Sequence, residues 1–116
     1  MNKQICVFCA SSDKVDSKYL EAANALGLEL VKNNYTLVYG GGARGLMGCI
    51  ACSVMETGGK AIGYIPRFMM EVEWGKTDIT QLIEVEDMRE RKKYLIENVD
   101  AVIALPGGCG TLEELL

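Results

Sequence analysis

Apolar residues fall into two kinds of run along this chain. Short, nearly all-apolar stretches occupy Ile5 to Cys9, Thr36 to Tyr39, Lys60 to Ile65, Leu82 to Val85 and much of Asn98 to Leu105. Between them apolar residues recur at three- and four-residue steps, as at Tyr19, Leu20, Ala23, Leu26, Leu30 and Val31. The first kind predicts buried strands, with Pro66 closing the third. The second predicts helices over Ser17 to Asn33, Gly45 to Thr57 and Met88 to Asn98. Strands that are apolar on both faces, separated by helices, predict an α/β fold: a Rossmann-like, doubly wound parallel sheet with helices on both faces. In such sheets ligands gather at the carboxyl ends of the strands. Residues 67–81 break the pattern; Met69, Met70 and Trp74 are expected to pack in the core, with a mobile flap or a partner surface as the alternatives. A further helix opens at Thr111 and has laid down Leu112, Leu115 and Leu116 when the sequence stops. The expectation is therefore a single domain over residues 1–116 that is incomplete at its C-terminus.

Composition narrows the partners. A formal charge of -4 with no Lys/Arg run argues against nucleic acid and against an anionic membrane surface. No apolar run approaches the roughly 20 residues of a membrane span, and Ile5 to Ala10 is too short for a signal segment, so a cytoplasmic protein is expected. The five cysteines predict free thiols in a reducing compartment. Cys6 and Cys9 should face opposite sides of a strand, which suits neither redox chemistry nor zinc. Cys49 and Cys52 share a helix face, but the chain has no histidine, so they read as small buried residues and no metal is expected. Cys109 sits inside a glycine loop, where an oxidation-sensitive thiol is an alternative to a buried one.

The candidate chemistry lies in four segments. Pro106 to Glu114 (PGGCGTLEE) joins a strand to a helix start. Gly107, Gly108 and Gly110 allow backbone N–H groups to approach an anion at the positive end of the helix dipole, as a nucleotide or sugar phosphate would require. Thr111 and Glu114 form either a capping box or, beside such a loop, a carboxylate acting on the sugar. Ser11 and Ser12 follow the first strand and serve either as helix caps or as sugar or phosphate ligands. The third segment, Gly40 to Gly48, contains GxGxxG at Gly40, Gly42 and Gly45, with Gly41, Gly42 and Gly45 as candidate ligand contacts. The dinucleotide reading fails for want of an acid in Gly63-Tyr64-Ile65-Pro66, and no Lys-Ser/Thr follows to make a Walker loop. In the fourth, Asp87 and Glu90 are spaced as a capping box, while Arg91 is either a solvated helix residue or a ligand for phosphate, ribose or carboxylate.

GGGARGLMG at Gly40 to Gly48, MRERK at Met88 to Lys92 and PGGCGTLEE together resemble the cytokinin riboside 5'-monophosphate phosphoribohydrolases, the LOG (Lonely Guy) family, whose members often carry a lysine decarboxylase label. The resemblance implies hydrolysis of the N-glycosidic bond of a nucleoside 5'-monophosphate, AMP or an N6-modified adenine nucleotide, to free base and ribose 5-phosphate. It implies Arg91 and Glu114 as catalytic residues. Met88, Lys92, Gly107, Gly108, Gly110 and Thr111 fall among its substrate contacts. It further implies a homodimer or higher homo-oligomer and no cofactor. Two positions depart from the family pattern: Arg89 stands where a histidine is usual, and Ala10 where a glycine is usual. A non-catalytic nucleotide-binding module of the same fold is the alternative, followed by a hydrolase that breaks another bond. No lysine here occupies a persuasive site for pyridoxal chemistry.

Overall fold

The computed structural model of the chain describes residues 3–9, 17–70, 75, 77–97 and 99–105. Among these residues five strands and three α-helices occur in the order β1 (Gln4–Phe8), α1 (Ser17–Lys32), β2 (Thr36–Tyr39), α2 (Gly45–Glu56), β3 (Ala61–Pro66), β4 (Gln81–Val85), α3 (Met88–Glu97) and β5 (Ala101–Ala104). A single turn of 3-10 helix, Arg67–Met69, follows β3. The sheet is parallel throughout and its order is β4-β3-β2-β1-β5.

This order follows from right-handed crossovers. From β1 to β4 the chain steps across the sheet in one direction, so α1 and α2 share a face and pack together. The step from β4 to β5 reverses direction, and α3 lies on the opposite face, against β3 and β4. Strand alternation divides the core accordingly. Ile5, Val7, Cys9, Leu37 and Tyr39 pack with Leu30, Ile50 and Val54 on the first face, while Cys6, Phe8 and Val38 pack with Leu95 on the second. Cys6 and Cys9 therefore do face opposite sides. Where α1 meets α2, Ser53 donates to the Asn24 carbonyl at 2.9 Å and Cys49 to the Leu20 carbonyl at 3.2 Å. Burial, then the nearby Cys52, pushes the Cys49 thiol up, away from reactive thiolate.

Among the described residues the expected strands and helices form, with ends displaced by a few residues at most; the helix expected from Thr111 lies outside them. The largest difference is at β5, which begins at Ala101 rather than Asn98; just ahead of it the Asp100 carboxylate accepts the Gln4 N–H at 2.8 Å. Pro66 lies inside β3, paired with Val85, rather than just beyond it. In the irregular segment Met69 and Met70 are half-buried, Phe68 is 63% exposed, and Trp74 lies outside the described residues.

Candidate active site at the carboxyl ends of the strands

β1 pairs with β2 on one side and β5 on the other, so the strand order reverses about β1. A crevice at such a switch point is where open α/β sheets bind ligands. Phe8 and Ala104, the last residues of β1 and β5, are register partners. Ser11 and Ser12 follow the first of these strands; Gly107, Gly108, Gly110, Thr111 and Glu114 follow the second. All seven lie outside the described residues, as do Ala10 and Cys109.

The described part of the site is built around Arg91. The start of its helix is set by the predicted capping box: Asp87 Oδ1 accepts the Glu90 N–H at 2.8 Å. Glu90 in turn accepts the Glu86 N–H at 3.4 Å, one residue earlier than the usual reciprocal bond. Arg91 sits on the buried stripe of α3 with Leu95 and is only 2% exposed, which excludes the solvated-face reading. Its Nε donates to the Tyr64 carbonyl at 3.0 Å and its Nη2 donates to the Gly40 carbonyl. The guanidinium thus ties the end of β2 to β3. Its Nη1 is 3.7 Å from the Met88 sulfur and 3.9 Å from that of Met69, soft acceptors that tolerate a buried cation. The neighbouring Lys92 is half-buried, Met88 is 38% exposed, and Arg89 is exposed.

The glycine loop after β2 supports this arrangement more than it opens a cradle. A Cβ on Gly40 would run into the Arg91 guanidinium and come within 2.8 Å of the Met47 methyl, so the arginine occupies the space that glycine leaves. Gly41 has φ +80 and folds against β3, where a Cβ on Gly63 would lie 2.6 Å from the Gly41 Cα. Gly42 forms an isolated antiparallel bridge with Gly75. Gly41 and Gly42 are buried, whereas Gly45, which opens α2, is half-buried. Gly40→Ala is therefore expected to destabilise the fold by about 1–3 kcal/mol through overpacking. An unchanged denaturant midpoint would show that the guanidinium can move aside freely.

Sequence reasoning passed over Gly40, Tyr39 and Tyr64 as parts of this assembly. The Tyr39 phenol is fully buried beneath the loop and donates a long bond, 3.5 Å, to the Gly42 carbonyl. Burial, reinforced by Cys9 and Asp78, pushes it far above its usual range and keeps it neutral. A tyrosine closing a strand immediately before three glycines was the available signal, but nothing in the chain order announced that the guanidinium would land on Gly40. Among the described residues no three metal-ligating side chains gather, and no helix is long and apolar enough to cross a membrane.

A family model described as possible lysine decarboxylase matches residues 47–116. The chain is 48% identical over 114 residues to the cytokinin riboside 5'-monophosphate phosphoribohydrolase LOG5 of Arabidopsis thaliana, covering 98% of this chain and 50% of the relative. It is 49% identical to LOG1 of the same plant, with 98% and 54% covered. The chain thus spans about half the length of the curated relatives it matches. Among solved structures, the molybdenum cofactor binding protein of Rippkaea orientalis superposes with a TM-score of 0.82 at 22% identity, over 99% of this chain and 69% of that one. The molybdenum cofactor carrier protein of Chlamydomonas reinhardtii gives 0.80 at 23% identity, over 99% and 69%. At those identities the likeness is one of fold.

Proposed function

The chain belongs to the LOG family, the cytokinin riboside 5'-monophosphate phosphoribohydrolases, and on that premise we propose that it hydrolyses the N-glycosidic bond of a nucleoside 5'-monophosphate, releasing free base and ribose 5-phosphate. The observation that carries this reading is the Arg91 guanidinium, buried at the carboxyl ends of β2 and β3 within the MRERK segment.

Cleavage builds positive charge on the anomeric carbon, so the sugar becomes oxocarbenium-like before water adds. Glu114 is assigned the carboxylate that stabilises this charge and orients the water. Water adds to the anomeric carbon, the bond to the base nitrogen breaks with its electrons, and the base leaves with a proton. Gly107, Gly108, Gly110 and Thr111 are assigned to the 5'-phosphate, with Ser11, Ser12 and Lys92 at the rim of the same crevice. Only about three residues of chain separate Ser11 from Phe8 and Gly107 from Ala104. That is roughly 10 Å of chain at full extension, which supports assigning both segments to the same switch point. Arg91 keeps the strand ends in register beneath the sugar, and Met88 borders it. No cofactor is called for. A homodimer in the cytoplasm completes the proposal.

Phosphate anchoring supplies binding energy remote from the reacting bond, so the nucleotide and the nucleoside should differ sharply. Incubated with AMP, N6-isopentenyl AMP and adenosine, the chain is expected to release base and ribose 5-phosphate from the nucleotides. Adenosine should be cleaved at least about 100-fold more slowly. Binding of both nucleotides without cleavage would favour the non-catalytic module, which gains ligand stabilisation but forms no product.

A further inference from the structure

We propose that Tyr94 is a positioning residue for Arg91, held by the ring of the same β3 residue, Tyr64, whose carbonyl receives the guanidinium. Insofar as it concerns turnover, this rests on the function proposed above.

The Tyr64 and Tyr94 rings are stacked, with centroids 5.2 Å apart and planes 5° from parallel. The Tyr64 main chain accepts the Arg91 Nε–H at 3.0 Å. One residue of β3 therefore grips α3 twice, once by its carbonyl and once by its ring. The second grip matters because α3 is short and largely polar, and only Arg91 and Leu95 are buried along it. Those two lie four residues apart, on nearly one line down the helix. A helix held along one line can roll about it. At about 100° per residue, Tyr94 projects roughly 60° to one side of Arg91 and 100° from Leu95, so its stack is an off-line contact that resists rolling.

Rolling would move the Arg91 Cα and shorten the reach of its side chain to the carbonyls of Gly40 and Tyr64. Tyr94 is 38% exposed and borders a depression lined also by Asp87, Arg89, Glu90 and Lys93, while Tyr64 supplies the ring stacked on it. Burial, then the neighbouring Tyr94, raises the Tyr64 phenol, consistent with two neutral rings in contact.

The test compares the unsubstituted chain with Tyr94→Phe and Tyr94→Ala. Three quantities are read: the rate at which phenylglyoxal modifies Arg91, mapped by mass spectrometry; kcat and KM for N6-isopentenyl AMP; and the circular dichroism melt. Arg91 is expected to stay protected in the unsubstituted chain and in Tyr94→Phe, and to react about tenfold faster in Tyr94→Ala. The kcat of Tyr94→Ala should fall by a similar factor, with KM changed less than about twofold and full recovery in Tyr94→Phe.

Unchanged Arg91 protection in Tyr94→Ala overturns the proposal. So does a Tyr94→Phe that behaves like Tyr94→Ala, or an exposure that rises only where the melt shows the whole chain unfolding. If Tyr94→Ala does not fold at the assay temperature, Tyr94→Leu, which keeps apolar bulk without a flat face, is judged by the same criteria. Failure of the unsubstituted chain to cleave the nucleotide overturns the proposed reaction instead, and the Arg91 modification rate then decides the role of Tyr94 alone.

Discussion

Arg91→Met is expected to lower turnover of an adenine nucleotide by about 100-fold or more and to destabilise the fold in the same step. The two losses share one cause. The guanidinium is 2% exposed and its Nε and Nη2 serve the carbonyls of Tyr64, within β3, and Gly40, the residue just past the end of β2. Methionine fills much of the same volume but donates nothing, and each buried carbonyl left without a partner costs about 1–3 kcal/mol. The ends of β2 and β3 would then settle differently beneath the sugar. Arg91→Lys should fall between the two, because one ammonium cannot reproduce a planar fork aimed at two acceptors. Chemical denaturation alongside steady-state kinetics checks both effects. A stable Arg91→Met chain with normal kcat would mean that the guanidinium is neither a bolt nor a part of the reaction.

Glu114→Gln separates chemistry from stability in the opposite way. If Glu114 only closes a capping box with Thr111, glutamine serves the same purpose, since either side chain can return to the helix start. If the carboxylate stabilises an oxocarbenium-like sugar, removing its charge while keeping its shape should cost about 100-fold or more in kcat. The expected result is an inactive variant with an unchanged melting temperature that still binds nucleotide. Native kcat in Glu114→Gln would assign Glu114 to helix capping and end its catalytic role.

Together these variants show how far local pattern reached. Asp87 and Glu90 are three residues apart, and their capping geometry depends on the start of one helix, so spacing alone announced it. Cys6 and Cys9 were separable because side chains alternate along a strand, whatever lies on either face. Arg91 was different. Its spacing was compatible with a solvated face or with a ligand, and neither reading foresaw a guanidinium seated on main-chain carbonyls 51 and 27 residues away. The same holds for Gly40, Gly41 and Gly63. Gly40 and Gly41 read as a loop open to a ligand and Gly63 as a strand residue, whereas in the folded chain Gly40 makes room for Arg91, and Gly41 and Gly63 make room for each other.

From its sequence alone, this protein's element order, its parallel sheet and the identity of its signature segments were determined, because hydrophobic period, capping residues and glycine placement act over a few residues. Only the tertiary structure decided which face receives α3, and that one β3 residue grips that helix by both carbonyl and ring. It also decided that a buried arginine joins two strand ends. Those outcomes depend on the reversal of the chain's path across the sheet between β4 and β5, which brings distant residues within hydrogen-bonding reach.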